Sequence, residues 1–557
     1  MARLSTTALL VAVLAGLGMP ASAAPKAVHP NEVRSDGSWA RDTANEADAK
    51  TGGSVVLALL GEPDSLNPYL STTADVDEML KLVYPQLMKE GADYAKEPPK
   101  FEPYLAETWE FSADRHTLTF HLRKDMTWAD GVPITAGDVR YSWATAKSAD
   151  VAWTGNSIKD FIDDVKVVDD HTVALHYTET YPYQVMDAND GYIIPKHVFS
   201  EVPYKDWKNH ASWTAEAAVA GGPYVVTSYV SQQQVVLEAN PKYYRKGFPR
   251  IPKVTYRIIK SRAAQRDAFL SGGLDVLQTV VPLDVRRILD DGRFRLFNCL
   301  SRGFTYVGWN CRRFPTDDPE VRRALTLGTD REDLVESLFF GYADVSYSPI
   351  ISSMWANDHS LKPWPYDPEE ARKVLESRGW KPGADGIYAK EGKRLSLSLA
   401  TNGENQERVK ACTKIQANLK QIGVEIKIEQ VEFNQLAERL RKHDFNAYYG
   451  AWYVATKVDE KPTFHSLSRG YDGYNWVDYA NPRIDEIIDK ARIMSDFAAA
   501  KPLWAEFQQI LHKEQPYTFV AEPKQLNAYA KTIRNVMSAA VSPYYNLEEW
   551  WLEAAAK

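Results

Sequence analysis

The chain is 557 residues long, 44% hydrophobic and 25% charged, with a formal net charge of −8. That length exceeds one ordinary hydrophobic core and predicts two or three lobes, while the acidic balance argues against nucleic acid, which asks for a concentrated basic face. Its 16 Trp and 30 Tyr are more rings than core packing usually needs, and such rings also wall ligand pockets.

At the N-terminus, Arg3 precedes a short apolar run, Ala8 to Gly18, then Pro20 and the small residues Ala21, Ser22 and Ala23. This is the layout of a secretory signal peptide over residues 1–23, and the run is too short to span a bilayer. Because no cysteine follows it, a lipid anchor is not expected. The chain is expected to be exported and soluble, in the periplasm of a Gram-negative cell. Three cysteines, Cys299, Cys311 and Cys412, cannot form a disulfide framework. Cys299 and Cys311 are near enough in sequence to pair, which spacing alone does not decide.

Residues 24–52 are polar and aperiodic and read as a flexible leader. Order is expected from Gly53, where SVVLALL suits a buried strand. TADVDEMLKLVYPQLMKEG then reads as one amphipathic helix, with Val76, Met79, Leu80, Val83 and Leu87 in a stripe, Thr73 as N-cap and Gly91 past the end. From about 101 to 180 the strand period dominates, including HTLTFHLR (116–123) and HTVALHY (171–177). The five-residue spacing of His116 with His121, and of His171 with His176, puts each pair on opposite faces of a strand, so neither converges on a metal.

From 368 onward the pattern alternates. DPEEARKVLESRGW is a helix with Asp367 as N-cap, Pro368 in its first position and Gly379 as its stop. Strands are expected at 394–400, 424–431 and 444–454, with helices between them; these lengths imply parallel pairing under a helical cover. NPRIDEIIDKARIM and KPLWAEFQQILHKE are two further amphipathic helices, the first capped by Asn481.

The catalytic motifs sought are absent: there is no GxSxG, P-loop, HExxH or strand-borne GxGxxG. No metal or cofactor is expected. Asp459 and Glu460 are adjacent acids in AYYGAWYVATKVDEKPTF. They are either solvated loop charge or, in the alternative reading, the paired carboxylates of an exported glycan-active hydrolase.

Residues 105–143, LAETWEFSADRHTLTFHLRKDMTWADGVPITAGDVRYSW, resemble the signature of the family 5 extracellular solute-binding proteins, the dipeptide, oligopeptide and nickel receptors of ABC importers. The matching elements are Ala106-Glu107-x-Trp109, Asp114, Thr119-Phe120-x-Leu122-Arg123, Trp128, Asp130-Gly131 and Ala136-Gly137-Asp138-Val139, with Thr135 or Asp138 capping the next helix. Segments at 61–68, 221–244, 268–276 and 317–343, YDPEEARKVLESRGW and YANPRIDEIIDKA extend the resemblance from about 53 to 552. It implies an α/β, two-lobed periplasmic binding protein fold of type II, in its large variant with an extra strand-rich subdomain. The first lobe would span 53–298 with the strand-rich insertion at about 80–219, the second lobe 299–521, and residues 522–557 would return to the first.

The resemblance implies a binding protein and not an enzyme. It would be a monomer that closes on a peptide-like or other polar small-molecule ligand and delivers it to ABC permease subunits in the inner membrane. Thr72, Thr73 and Ala74 match positions that contact ligand backbone in peptide receptors. The segment at 449–462, with Tyr449, Trp452 and Tyr453, matches the cleft edge of the second lobe, and Trp309 and Trp476 are candidates for core packing or further walls. Peptide receptors usually carry an Asp three residues after the Trp to pair with the ligand's α-amino group. Here that position is Ala455. Either a shifted loop brings Asp459 to the amine, or the ligand has none.

Overall fold

The computed structural model describes residues 28–211, 213–471 and 473–553. The expected signal peptide lies outside them. Two sheets build the first lobe's body and its subdomain. Strands Tyr224–Val230, Gln234–Ala239, Lys253–Ile258 and Ser54–Leu59 form one, in that order, with the last pair parallel. Strands Ala106–Phe111, Thr117–Leu122, Thr172–Tyr177 and Ile162–Asp169 form a fully antiparallel second sheet. Alternation sets its buried face: Leu118, Phe120 and Leu122 point inward with Val173, Leu175 and Tyr177. His116, just before strand Thr117–Leu122, and His176 of the neighbouring strand stack with ring centroids 6.2 Å apart. Helix Ala136–Lys147 follows, and Thr135 and Asp138 act together as a capping box: the Thr135 hydroxyl accepts from Gly137 N at 3.2 Å and Asp138 from Thr135 N at 2.8 Å.

The second lobe alternates as its sequence reads. Strands Ser396–Asn402, Glu425–Val431 and Ala447–Tyr453 pair in parallel, with Ser396–Asn402 in the middle. Helices Gln406–Gln421 and Phe433–Arg441 connect them, and Asp367 caps Pro368–Ser377 by accepting from Glu370 N at 2.8 Å. Side chains of Ala447–Tyr453 divide between two cores by strict alternation. Tyr449 packs with Ile415, Leu419 and Val424, whereas Tyr448 packs with Tyr306, Trp504 and Tyr517.

Two expectations need correction. The helix after Thr73 spans only Ala74–Leu80, and Met88–Glu90 is a strand paired with Phe101–Pro103. Pro85 cannot continue a helix, and the carbonyls of Leu82 and Val83 instead accept from Tyr224 N and Gly222 N at 3.0 and 2.8 Å. Nor are the described residues of the expected 24–52 leader, from 28 on, simply flexible. Glu32–Arg34 runs parallel to Phe294–Leu300, and Trp39–Arg41 pairs with Met537–Ala539. Asp42 anchors the segment through an ion pair with Arg295 at 2.7 Å. Its partners lie some 250 or more positions away, so its local pattern carried no sign of them.

Candidate functional site: the cleft at the crossover ribbon

The lobes are joined by one antiparallel ribbon. The long strand Tyr517–Ala530 pairs with Phe294–Leu300 through Lys524–Ala530 and with Gly303–Trp309 through Tyr517–Ala521. The chain therefore crosses between lobes twice, at Ser301–Arg302 and at Glu522–Pro523. Beside this ribbon lies a cavity of about 830 Å³, inside the ~300–1,000 Å³ usual for enclosed ligands. Its walls come from the first lobe, around Thr72, Lys81, Tyr104, Tyr192, Arg245 and Tyr544, together with Arg302 from the crossover.

Most charges facing the cavity are already matched. Lys81 lies 2.5 Å from Glu78 and 3.5 Å from Asp77. Arg245 reaches Glu548 at 3.2 Å and Glu549 at 3.0 Å, and Lys89 reaches Glu548 at 3.6 Å. Burial pushes the Glu90 carboxyl above its ordinary range, partly offset by the Thr456 hydroxyl and the nearby charge of Arg302. Arg302 is different. Its guanidinium donates to the Tyr453 hydroxyl from Nε at 2.9 Å and from Nη2, and stacks 4.6 Å from the Tyr453 ring centroid. Among the described residues no carboxylate lies within 4.0 Å of it.

The loop after strand Ala447–Tyr453 crosses to the first lobe. Lys457 forms an ion pair with Asp187 and lies 3.7 Å from Asp190, while Val458 N donates to the Tyr183 hydroxyl at 2.8 Å. Burial raises the Asp190 carboxyl, with Lys457 and Lys159 opposing. Lys159 is itself buried and donates to the carbonyls of Asp187 and Ala188; desolvation lowers its pKa to about 8.

The positions expected to meet ligand divide sharply. Thr72, Thr73 and Ala74 line the cavity; the Thr72 hydroxyl donates to Asp64 at 2.7 Å and that of Thr73 at 3.4 Å, leaving their lone pairs to accept. Tyr449 is buried within the second lobe. Trp452 stacks on Trp476 with centroids 5.0 Å apart, and Trp309 is fully buried, donating to the Thr518 hydroxyl at 2.9 Å. Tyr453 is 66% exposed and reaches the cavity only through Arg302. Ala455 is exposed. Asp459 accepts from Lys461 N and pairs with Arg492 at 3.3 Å, away from the cavity. Its neighbour Glu460 accepts instead from the Thr463 hydroxyl at 2.7 Å. The two acids are thus committed to different partners, and neither lines the cleft, so no observation supports the hydrolase alternative.

Arg302, Glu90, Lys81 and Arg245 escaped the sequence reading. They are scattered over more than two hundred positions with no common motif; the one available signal was the short Ser301-Arg302-Gly303 step between two apolar strands. All three thiols are free, and burial pushes that of Cys299 up to about 12 and that of Cys311 to about 11. No helix among the described residues is long and apolar enough to cross a membrane.

Comparison with known proteins places this geometry. Residues 100–475 match the model for bacterial extracellular solute-binding proteins, family 5 Middle. The oligopeptide-binding protein AppA of Bacillus subtilis strain 168 is 28% identical over 527 residues, covering 93% of this chain and 95% of the relative. The probable ABC transporter periplasmic-binding protein SapA of Escherichia coli strain K12 is 24% identical over 536 residues, covering 91% and 93%. The solved structure of B. subtilis AppA in complex with a nonapeptide superposes with a TM-score of 0.71 at 27% identity, over 91% of this chain and all of that one. With the two-lobed fold, the ribbon and the cleft in place, the chain belongs to the bacterial extracellular solute-binding proteins of family 5.

Proposed function

We propose that this protein is the solute-receiving component of an ABC importer, and that its solute is a peptide-like molecule enclosed between the lobes. The observation that carries this reading is the cavity of about 830 Å³ set against the double crossover. A solute seated there touches first-lobe walls and the crossover together, so it favours the closed arrangement by its differential contacts. The kinship with SapA supports the transport role, and that with AppA the choice of peptide-like solutes. In this reading residues 1–23 direct export, residues 53–298 and 522–557 form the first lobe and 299–521 the second. The protein acts as a monomer in the periplasm, passes its solute to permease subunits in the inner membrane, and carries out no turnover.

The test is mass spectrometry of small molecules released from protein purified from its native host. Recovery of short peptides at near one per chain is expected. An empty cleft, together with no thermal stabilisation by a mixed tri- to hexapeptide pool, would overturn the peptide reading.

A further inference from the structure

We infer that Arg302 is the specificity-determining residue for an anionic group on the solute, a peptide's terminal carboxylate, with Tyr453 as its positioning residue; this rests on the proposed function above. Three observations converge on it. First, charge: Lys81, Lys89 and Arg245, the other cations lining the cavity, each have a carboxylate in ion-pair contact, while Arg302 has none within 4.0 Å among the described residues; the charge of Glu90 acts on it from further off, and its direct contact is the neutral Tyr453 phenol. A guanidinium presents five donors in a fixed fork suited to a planar carboxylate, and Tyr453 occupies Nε and Nη2 alone.

Second, orientation. The stack of the guanidinium on the Tyr453 ring at 4.6 Å, with the hydroxyl contacts, fixes the fork before ligand arrives. Preorganisation of this kind lowers the entropic cost of capturing an anion. Third, attachment. The Arg302 carbonyl accepts from Val454 N at 2.7 Å, and Tyr453 closes the strand Ala447–Tyr453, so both ends of Arg302 are tied to the second lobe. The remaining charged lining residues belong to the first-lobe wall. An anion on Arg302 with its body against that wall therefore bridges the lobes. Anchoring has moved from the position held by Ala455 to the crossover, and from the solute's amine to its acid.

A pool of tri- to hexapeptides, half free acid and half C-terminal amide, would be offered to wild type, Arg302→Gln, Arg302→Lys and Tyr453→Phe, and the captured fraction read by mass spectrometry. Wild type is expected to prefer the free acids by about ten- to hundredfold, the range of a charge-assisted contact. R302Q abolishes the preference while still capturing peptide and melting within a degree or two of wild type; R302K keeps a reduced preference. Retention of the full acid preference by R302Q, or equal capture of acids and amides by wild type, overturns the Arg302 assignment while leaving peptide binding intact. Capture of neither half by wild type overturns the peptide reading and this inference with it.

Discussion

The two crossovers of the ribbon do opposite jobs with opposite charges. At Ser301–Arg302 the backbone leaves the ladder, and the cation faces the cavity with a phenol for company. At Glu522–Pro523 a third strand, Ala343–Val345, pairs across the break and braces it. Glu522 is buried and accepts from Ser352 N at 3.0 Å, Ser352 Oγ at 2.5 Å and Ser346 Oγ at 3.3 Å. One crossing leaves donors of its cation facing the cavity; the other buries its carboxyl and hydrogen-bonds it from within. The difference teaches that only the first leaves charged donors free toward the cavity, whereas the second is braced by Ser346 and Ser352.

The largest expected effect separates stability from binding. Glu522→Ala strands the donors of Ser346 and Ser352 and should lower unfolding free energy by about 2–4 kcal/mol in urea titration. Arg302→Ala should stay within about 0.5 kcal/mol of wild type. Equal losses would erase the distinction. A second expectation concerns pH. Burial raises the Glu522 carboxyl from 4.5 to about 6, so the folded state holds that proton more tightly than the unfolded chain. Its contribution is fully present below pH 4.5 and is lost as pH rises through 6, at most about 2 kcal/mol. Glu522→Gln, which stays neutral, should flatten that segment of the stability profile; an unchanged slope would refute the assignment.

Lys457→Ala probes contact away from the ribbon. It removes the cross-lobe ion pair with Asp187 and Asp190 and should shift the open-to-closed ratio by about fivefold, ~1 kcal/mol, seen as a larger radius of gyration in solution scattering. The smallest effect belongs to Tyr453→Phe, which keeps the stack on Arg302 but loses the hydroxyl. Affinity for peptides with a free C-terminal acid should fall by about 0.5–1 kcal/mol in calorimetry, with no change for the C-terminal amides.

Much of this architecture was legible in the sequence, because its signals were local. Asp367, Asn481 and Thr135 cap helices by reaching two or three residues along the chain, and the strand–helix alternation after 368 needs only its neighbours to be recognised. What escaped was set by distant partners. Glu32–Arg34 is a strand because Phe294–Leu300 is there to pair with it. The helix break is a mixed case: Pro85 marks it locally, but the strand-like use of the Leu82 and Val83 carbonyls depends on the distant Tyr224 and Gly222. The cleft divides the same way: Thr72, Thr73 and Ala74 line the cavity, while Trp452 stacks on Trp476. Tyr453 does not line the cavity itself and touches it only through its contact with Arg302.

A side chain at a pivot travels little while the bodies on either side swing through large arcs. Arg302 occupies such a place at the crossing, whereas the Lys457 ion pair joins surfaces that must first come together. The consequence is an order of events. A solute can land its acid on Arg302 while the jaws are wide, keep that hold throughout the swing, and gain its remaining contacts as the far rim meets. Recognition then precedes capture, and a molecule lacking the acid drifts away before the jaws have any reason to shut.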